Sequence, residues 1–487
     1  MSALDLRRIL AMAILLIATS LERSPSCGRE VSPDEAALCL RKAVSFFRSI
    51  SVHGGYVWWY SRDLKERWGE GRARETEIWV QPPGTPSVGM AFLRAYEATG
   101  DPFYLEAAKE AADALAWGQL ESGGWTYSID FSPQWRRKWY RRADKGKLSP
   151  EEASRRRNWT TFDDDTTQSA LRFLMRLVKL IGSPRDERDQ RIRDAMEYGL
   201  EGILRAQYPN GAWPQGYDGR EYRPEEHPKK RAWIPKEWPR RPPKGRRYWL
   251  YYTFNDGAIP NCILTLLEAY RLFGRDEFLE AARRGGDFII LSQLPDPQPG
   301  WAQQYDFDMK PAWARKFEPP ALSSAESAQA IRALLELYLA TGEERYLKPI
   351  PPAIEWLKRS QIGPGLWARF YELGTNRPIY FTRDYKLTYD DGDLPRHYSF
   401  KGGFGIAGVI RFYERVKRLG RERVLAKGNR PLSPDEKERK RRSLEPRIRR
   451  ILSSMDEKGG WVRGGRIESK VFISNVRALC DYIEICR

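Results

Sequence analysis

Gln119-Leu-Glu-Ser-Gly123-Gly-Trp125 has the form Q-x-x-x-G-x-W, and that form returns at Gln207…Gly211…Trp213 and at Gln361…Gly365…Trp367. Met455…Gly459…Trp461 keeps the glycine and the tryptophan. Gly300-Trp301 follows Gln293 after a longer loop, and Gly54-Gly55-Tyr56 reads as a worn further copy. Each copy follows a segment with helical periodicity. Units that repeat in this way and leave an apolar face exposed must stack on one another.

Working outward, the apolar period predicts helices over about 33–50, 87–99, 103–118, 166–181, 188–206, 258–273, 276–293, 322–341, 344–361, 405–419, 433–454 and 470–485. Most adjacent pairs are joined by a short glycine turn, at Gly100, Gly182, Gly274 and Gly342, where glycine supplies a left-handed C-cap. The other connections are long and begin with G-x-W. Short turns therefore alternate with long loops. The expected fold is all-α: a single α/α toroid of about six helical hairpins over 33–487, with the long loops at one end. An open α-solenoid is the alternative. Strand signals are sparse, which argues against a β-helix.

The 487 residues carry 83 Lys and Arg against 65 Asp and Glu, a net charge of +18. With 41% hydrophobic residues the composition is globular and excludes a disordered chain. A basic chain with 18 Trp and 24 Tyr points to a polyanionic partner. Three His and five Cys argue against a His-rich metal site and a disulfide scaffold. Cys39, Cys262, Cys480 and Cys486 have no metal-ligand spacing and read as free thiols. Arg7 and Arg8 before the short apolar run Ile9 to Ala18 read as a secretory signal over 1–26, so a secreted or periplasmic protein is expected. Cys27 follows a poor lipobox. No later stretch is apolar enough to span a membrane. The basic run Lys437 to Arg442, with Arg447 to Arg450, reads as a solvated helix face. No groove-binding motif accompanies it, so nucleic acid is not an expected partner. A monomer is expected.

The alternation of turns places function. If the short turns lie at one end, every long loop lies at the other and delivers the chain to an inner-helix N-terminus, where free N–H groups favour anions. These loops read Thr161-Phe-Asp163-Asp164-Asp165-Thr166-Thr167, Tyr252-Thr-Phe254-Asn255-Asp256-Gly257-Ala258 and Pro311-Ala-Trp313-Ala-Arg315-Lys316-Phe317-Glu318. A later connection carries Arg377, Arg383 and Arg396, and the last carries Arg463, Arg466 and Lys470. Singly, each is an N-cap, a turn residue or a solvated charge. Together they bring carboxylates and arginines to one mouth. Carboxylates suit a hard oxygen-bound cation such as Ca²⁺; arginines suit substrate carboxylates.

These stretches resemble the family 10 pectate lyases. The matching segments are TFDDDTTQSALRFL (161–174), ILRAQYPNGAWPQGY (203–217), FNDGAIPN (254–261), PAWARKFEPPALSSAES (311–327) and YELGTNRPIY (371–380). Their order and spacing match over about 155–405. The resemblance implies an α/α toroid that cleaves polygalacturonate, or a related uronate polymer, by Ca²⁺-assisted β-elimination. By position it implies that Asp163 binds the metal or bridges it to substrate, with Asp165 beside it, and that Asp256 is the aspartate of an N-D-G-A motif. It makes Arg315 the base, with Lys316 as the neighbouring substitute, and gives Arg383 and Arg396 the grip on substrate carboxylates, with Arg377 competing for that role. This chain departs from the family by an extra acidic residue at 163–165 and by a long, basic, Pro-rich loop at 218–247.

Chemically, a uronate C5 proton is only weakly acidic. A cation on the C6 carboxylate and positive charge around the developing enolate lower the barrier. An arginine base requires surroundings that disfavour its charged form; otherwise Arg315 serves as an electrostatic clamp. Three alternatives stay open on the residues alone: a glycoside hydrolase using Asp163 with Asp256 or Glu318, a non-catalytic acidic-polysaccharide-binding protein, and, more remotely, a triterpene cyclase. The repeated tryptophans read as fold staples rather than sugar platforms.

Overall fold

The structure, a computed structural model, describes residues 30–487; the expected signal segment 1–26 and Cys27 lie outside them. In chain order the helices are α1 (Pro33–Ser49), α2 (Thr85–Thr99), α3 (Pro102–Gly118), α4 (Pro133–Lys138), α5 (Pro150–Arg155), α6 (Thr166–Ile181), α7 (Glu187–Arg205), α8 (Ala258–Phe273), α9 (Asp276–Ser292), α10 (Ser324–Thr341), α11 (Ile350–Arg359), α12 (Ile406–Leu419), α13 (Arg421–Asn429), α14 (Pro434–Ser453) and α15 (Ser469–Cys486).

Helices α15, α2, α6, α8, α10 and α12 pack side by side in that order as an inner layer. Outside them lie α1, α3, α7, α9, α11 and the α13–α14 pair. This is the α/α toroid that the helical period predicts. Most inner helices bury much of their length: α6 buries Ala170, Leu171, Phe173, Leu174, Met175, Leu177 and Val178, whereas α12 buries only Ile406, Val409 and Val416. The outer α7 buries one stripe, Ile192, Ala195, Met196, Gly199, Leu200 and Ile203, as an amphipathic surface helix does.

An antiparallel strand pair closes each of four hairpins at the mouth, the first three as two-stranded ribbons and the fourth within a five-stranded sheet. The strand before the inner helix pairs antiparallel with the strand after the next G-x-W. The pairs are Glu77–Trp79 with Ser128–Asp130, Thr160–Thr161 with Gly216–Tyr217, Tyr252–Thr253 with Gln304–Tyr305, and Ala321–Ser323 with Phe370–Glu372. A further hairpin is split across the chain. Its inner helix is α15 and its outer helix is α1, joined by the pairing of Trp59–Ser61 with Arg466–Glu468. The Tyr482 hydroxyl also donates to the Val31 carbonyl, 2.7 Å away.

The tryptophans of the repeat are staples. The indole N–H of Trp125 donates to Leu115 O, Trp213 to Ile203 O, Trp301 to Ile289 O, Trp367 to Leu357 O and Trp461 to Ile451 O, at 2.6–2.9 Å. Each satisfies a carbonyl in the last turn of an outer helix, where no backbone N–H of the helix remains to pair with it. The repeat glutamine ties neighbouring hairpins: Gln119 Nε2 donates to Gly123 O and to Ala195 O in α7, and Gln207 Nε2 to Gly211 O and to Ala281 O in α9. The glycine is a point of close approach. At Gly211, φ is +99° and a Cβ would lie 2.1 Å from Arg284 O of the next outer helix.

Three details depart from the sequence reading. The helix expected over 344–361 is a 3-10 turn, Glu344–Tyr346, followed by α11. Pro349, Pro351 and Pro352 lack the N–H that a continuous helix needs, so they begin a helix rather than continue one. Helices α4, α5 and α13 were not expected. The mouth ribbons are strands of two to four residues, too short to show alternation. Cys39, Cys262, Cys480 and Cys486 are all free.

Candidate active site

Two turns of like sequence fold alike. Thr161-Phe162-Asp163-Asp164-Asp165-Thr166 and Thr253-Phe254-Asn255-Asp256-Gly257-Ala258 each run from a short strand through one 3-10 turn into an inner helix. Asp164 (φ 49°) matches Asp256 (φ 47°), and Asp165 (φ 60°) matches Gly257 (φ 80°). Non-glycine residues at positive φ are strained, and such strain gathers at functional sites. The turns touch, and carboxylate oxygens of Asp163, Asp164 and Asp256 lie within 4.8 Å of one another.

The Tyr127 hydroxyl donates to Asp163 Oδ2 (2.7 Å), and Gln81 Nε2 donates to Asp164 Oδ2 (2.8 Å). The other oxygen, Asp163 Oδ1, is buried without a partner. Burial raises the Asp163 carboxyl above its ordinary value. Burial and then the charge of Asp163 push Asp164 up to about 7. Asp256 is driven well above its usual range by burial and by Asp163 and Asp164. Three crowded carboxylates and an orphaned oxygen fit a hard divalent cation. Asp165 is not brought into this group. Its carboxylate turns to Arg172, which also donates to the Thr265 hydroxyl (2.8 Å).

Arg315 closes one side. Its Nη2 lies 2.5 Å from Glu318 Oε1 and 3.7 Å from Asp256 Oδ2. Glu318 is buried and also accepts from the Arg315 backbone N–H (3.0 Å) and Gln303 Nε2 (3.1 Å). Burial, the largest influence on Arg315, disfavours its charge. The hydrogen bond and charge of Glu318, with Tyr398 and Asp256, outweigh it and hold the guanidinium above the ordinary arginine value. Lys316 is exposed, with Nζ 3.5 Å from the centre of the Tyr385 ring. The structure therefore puts Arg315, not Lys316, against the acidic group.

The other arginines lie farther out. Arg377 stacks on Tyr389 (3.9 Å) and Arg383 pairs with Asp393 (2.5 Å). Arg396 is exposed, immediately before His397 and Tyr398, which pack on Phe317. The 218–247 loop forms a wall over the Arg315 loop: Trp313 Nε1 donates to Pro239 O (2.7 Å), and Arg246 Nε to Ala314 O (2.6 Å).

The sequence reading missed a positional rule. The residue two after each of Trp125, Trp213, Trp301 and Trp367 faces the mouth. Tyr127 bonds Asp163. Gln215 acts on the Asp163 carboxyl and lowers it against the effect of burial. Gln303 bonds Asn255 and Glu318. Arg369 pairs with buried Glu326 at 3.2 Å. In the worn copy Trp58 donates to Gln81 O (2.9 Å), and Gln81 bonds Asp164. The signal was present as G-x-W-x-Z, because a strand leaving the staple turns alternate side chains to opposite faces.

A family profile described as pectic acid lyase matches residues 119–364 and 355–405. No curated protein matches the sequence. Among solved structures, a family 10 polysaccharide lyase from Cellvibrio cellulosa is 22% identical, with 68% of this chain and 98% of that chain covered at a TM-score of 0.46. A mutant of that enzyme in complex with trigalacturonic acid is 21% identical at the same coverage and TM-score. An α-1,6-mannanase from a Salegentibacter species is 12% identical, with 92% of this chain and 99% of that chain covered at 0.41.

Proposed function

The chain belongs to the pectic acid lyase family and is a polysaccharide lyase, and from that premise we propose that it cleaves polygalacturonate, or a related uronate polymer, by β-elimination assisted by Ca²⁺. The observation that carries this reading is Arg315 Nη2 standing 3.7 Å from Asp256 Oδ2 beside three crowded carboxylates. Asp163, Asp164 and Asp256 would hold the cation. Once bound, it would draw charge from the substrate's C6 carboxylate and acidify C5.

Arg315 faces the C5 proton. Glu318 keeps its guanidinium charged in this arrangement, so proton removal at Arg315 becomes favourable only as pH rises. Until then Arg315 acts as a clamp on developing negative charge. As the C5 proton leaves, a C4–C5 double bond forms and the C4 oxygen departs with its pair and takes up a proton. The carboxylates crowd on one point instead of flanking a bond, which counts against a glycoside hydrolase. Secretion belongs to the same proposal and rests on Arg7, Arg8 and the apolar run after them. No helix among the described residues is long and apolar enough to cross a membrane.

Incubation with polygalacturonate and Ca²⁺ tests the reading. Absorbance of an unsaturated uronate should grow, and Arg315→Ala should abolish that growth while retaining most substrate binding. Absence of an unsaturated product from every uronate polymer tried would overturn it.

A further inference from the structure

Asp163, Asp164 and Asp165 are consecutive in sequence but are held by different kinds of donor. Asp165 pairs with Arg172, whose guanidinium neutralises it. Asp163 and Asp164 are held by neutral groups, the Tyr127 hydroxyl (2.7 Å) and the Gln81 amide (2.8 Å). In both, the oxygen taken is Oδ2. A hydroxyl or an amide orients a carboxylate without cancelling its charge, whereas a cation in the same place would compete with a metal for it. The two neutral donors arrive together. They flank the ribbon of Glu77–Trp79 with Ser128–Asp130, and the Val80 N–H (2.8 Å) and Gln81 N–H (3.3 Å) both donate to Tyr127 O.

Gln81 is buried and held in one orientation. The Trp79 indole N–H donates to Gln81 Oε1 (3.1 Å). An indole nitrogen only donates, so it decides which end of the amide carries the oxygen and turns Nε2 to Asp164. A flipped amide would set donor against donor and oxygen against carboxylate. Trp79 is itself covered closely, since a Cβ on Gly69 would lie 2.0 Å from its ring. The backbone is pinned as well. Gln81 O accepts from Trp58 Nε1 (2.9 Å), and Trp58 O accepts from the Ser469 N–H at the start of α15 (2.9 Å). Burial alone obliges a glutamine to find partners. It does not oblige one of them to be the carboxylate next to the unpartnered Asp163 Oδ1.

We infer that Gln81 is a positioning residue for a divalent cation at the acidic centre: it fixes Asp164 Oδ2 and leaves the other oxygen free for the metal, as Tyr127 does for Asp163. The inference rests on the reading of a Ca²⁺ site there. Gln81 lies outside residues 119–405, so the orienting donor comes from a part of this chain that the family profile does not match. Carboxylates that bind metals depend on such outer hydrogen bonds, and losing one typically lowers metal affinity about ten- to a hundredfold.

The test is calorimetric titration of the full chain with Ca²⁺, together with turnover of a soluble oligogalacturonate across Ca²⁺ concentrations. Gln81→Met keeps the length of the side chain and removes the amide. Its Ca²⁺ affinity should fall on the order of ten- to a hundredfold. Turnover at saturating Ca²⁺ should return towards that of the parent, because Gln81 acts only through Asp164. Trp79→Phe leaves Gln81 in place but frees its amide to flip, so a smaller loss of affinity is expected. Either change can also loosen the fold, so Tm is read in chelator and at one subsaturating Ca²⁺ concentration. The Ca²⁺-induced rise should shrink in both variants, whatever their Tm in chelator. Parental Ca²⁺ affinity in the folded variants would make Gln81 structural and sink the inference, and so would a parent that binds no Ca²⁺. A parent that binds Ca²⁺ but yields no unsaturated product fails the lyase reading alone, and the Gln81→Met titration still decides the role of Gln81.

Discussion

Asp164 shows how one residue ties the site to the stability of the whole chain. Its carboxyl is raised from 3.8 to about 7, so the folded chain binds that proton more tightly than the unfolded chain does. The contribution to stability is greatest below the unfolded value and falls as pH rises towards about 7. With a chelator present, Tm should therefore fall across that window, and Asp164→Asn should fall less. Added Ca²⁺ should restore the parent more than the variant. Equal slopes for the two in thermal melts would show that the cluster is not the source. Glu318 sets a second pH effect. Because it holds Arg315 charged, Glu318→Gln should move the rising limb of the pH–rate profile to lower pH, and an unmoved limb would dissociate Glu318 from the base. These roles were only partly legible in the sequence. Asp163, Asp256 and Arg315 stand in motifs. Asp164 against Asp165 depends on which way two consecutive left-handed residues point, and no spacing rule decides that.

At the scale of the element, the repeated turn combines a staple, a clamp and a close approach, and the three can be separated. Gly211 and Gly365 both have positive φ, but only at Gly211 would a Cβ strike the next helix; at Gly365 nothing lies within 4 Å. Gly365→Ala should cost about 1 kcal/mol in urea titrations. Gly211→Ala should cost several times that. Similar losses would mean that backbone strain, not helix contact, fixes the glycine. Trp213→Phe keeps the ring in place but orphans the buried Ile203 carbonyl, a loss of about 1–3 kcal/mol. The helices, short turns and staples were readable because each has a strong local pattern. The mouth ribbons were not, since a two-residue strand carries no period. The proline-rich start of α11 was misread because apolar spacing ran through residues that cannot donate.

Across the whole molecule, the net charge of +18 turns out to lie mostly away from the site. Residues 406–454 hold 16 Lys and Arg against six Asp and Glu, on α12, α13 and α14, whereas the mouth gathers Asp163, Asp164, Asp256, Glu318 and Glu326 around Arg315 and Arg369. Composition alone suggests a cationic trap for a polyanion. The fold instead builds an anionic centre that a cation must complete. The ring itself is closed by its two ends. The α15–α1 hairpin differs from the others in that its short turn is missing, and Arg487 still reaches back to the Ala98 carbonyl (2.6 Å) at the end of α2. Topologically the chain is a circle cut at one hairpin tip. A circular permutant that links Arg487 to Glu30 by a short flexible peptide and opens instead in the turn after Gly182 should fold and keep the same spectrum of buried indoles. It should also refold faster, because closure would no longer wait for two segments more than 400 residues apart to find each other. Slower or absent refolding would place the nucleus in the α6–α7 hairpin that the new cut interrupts.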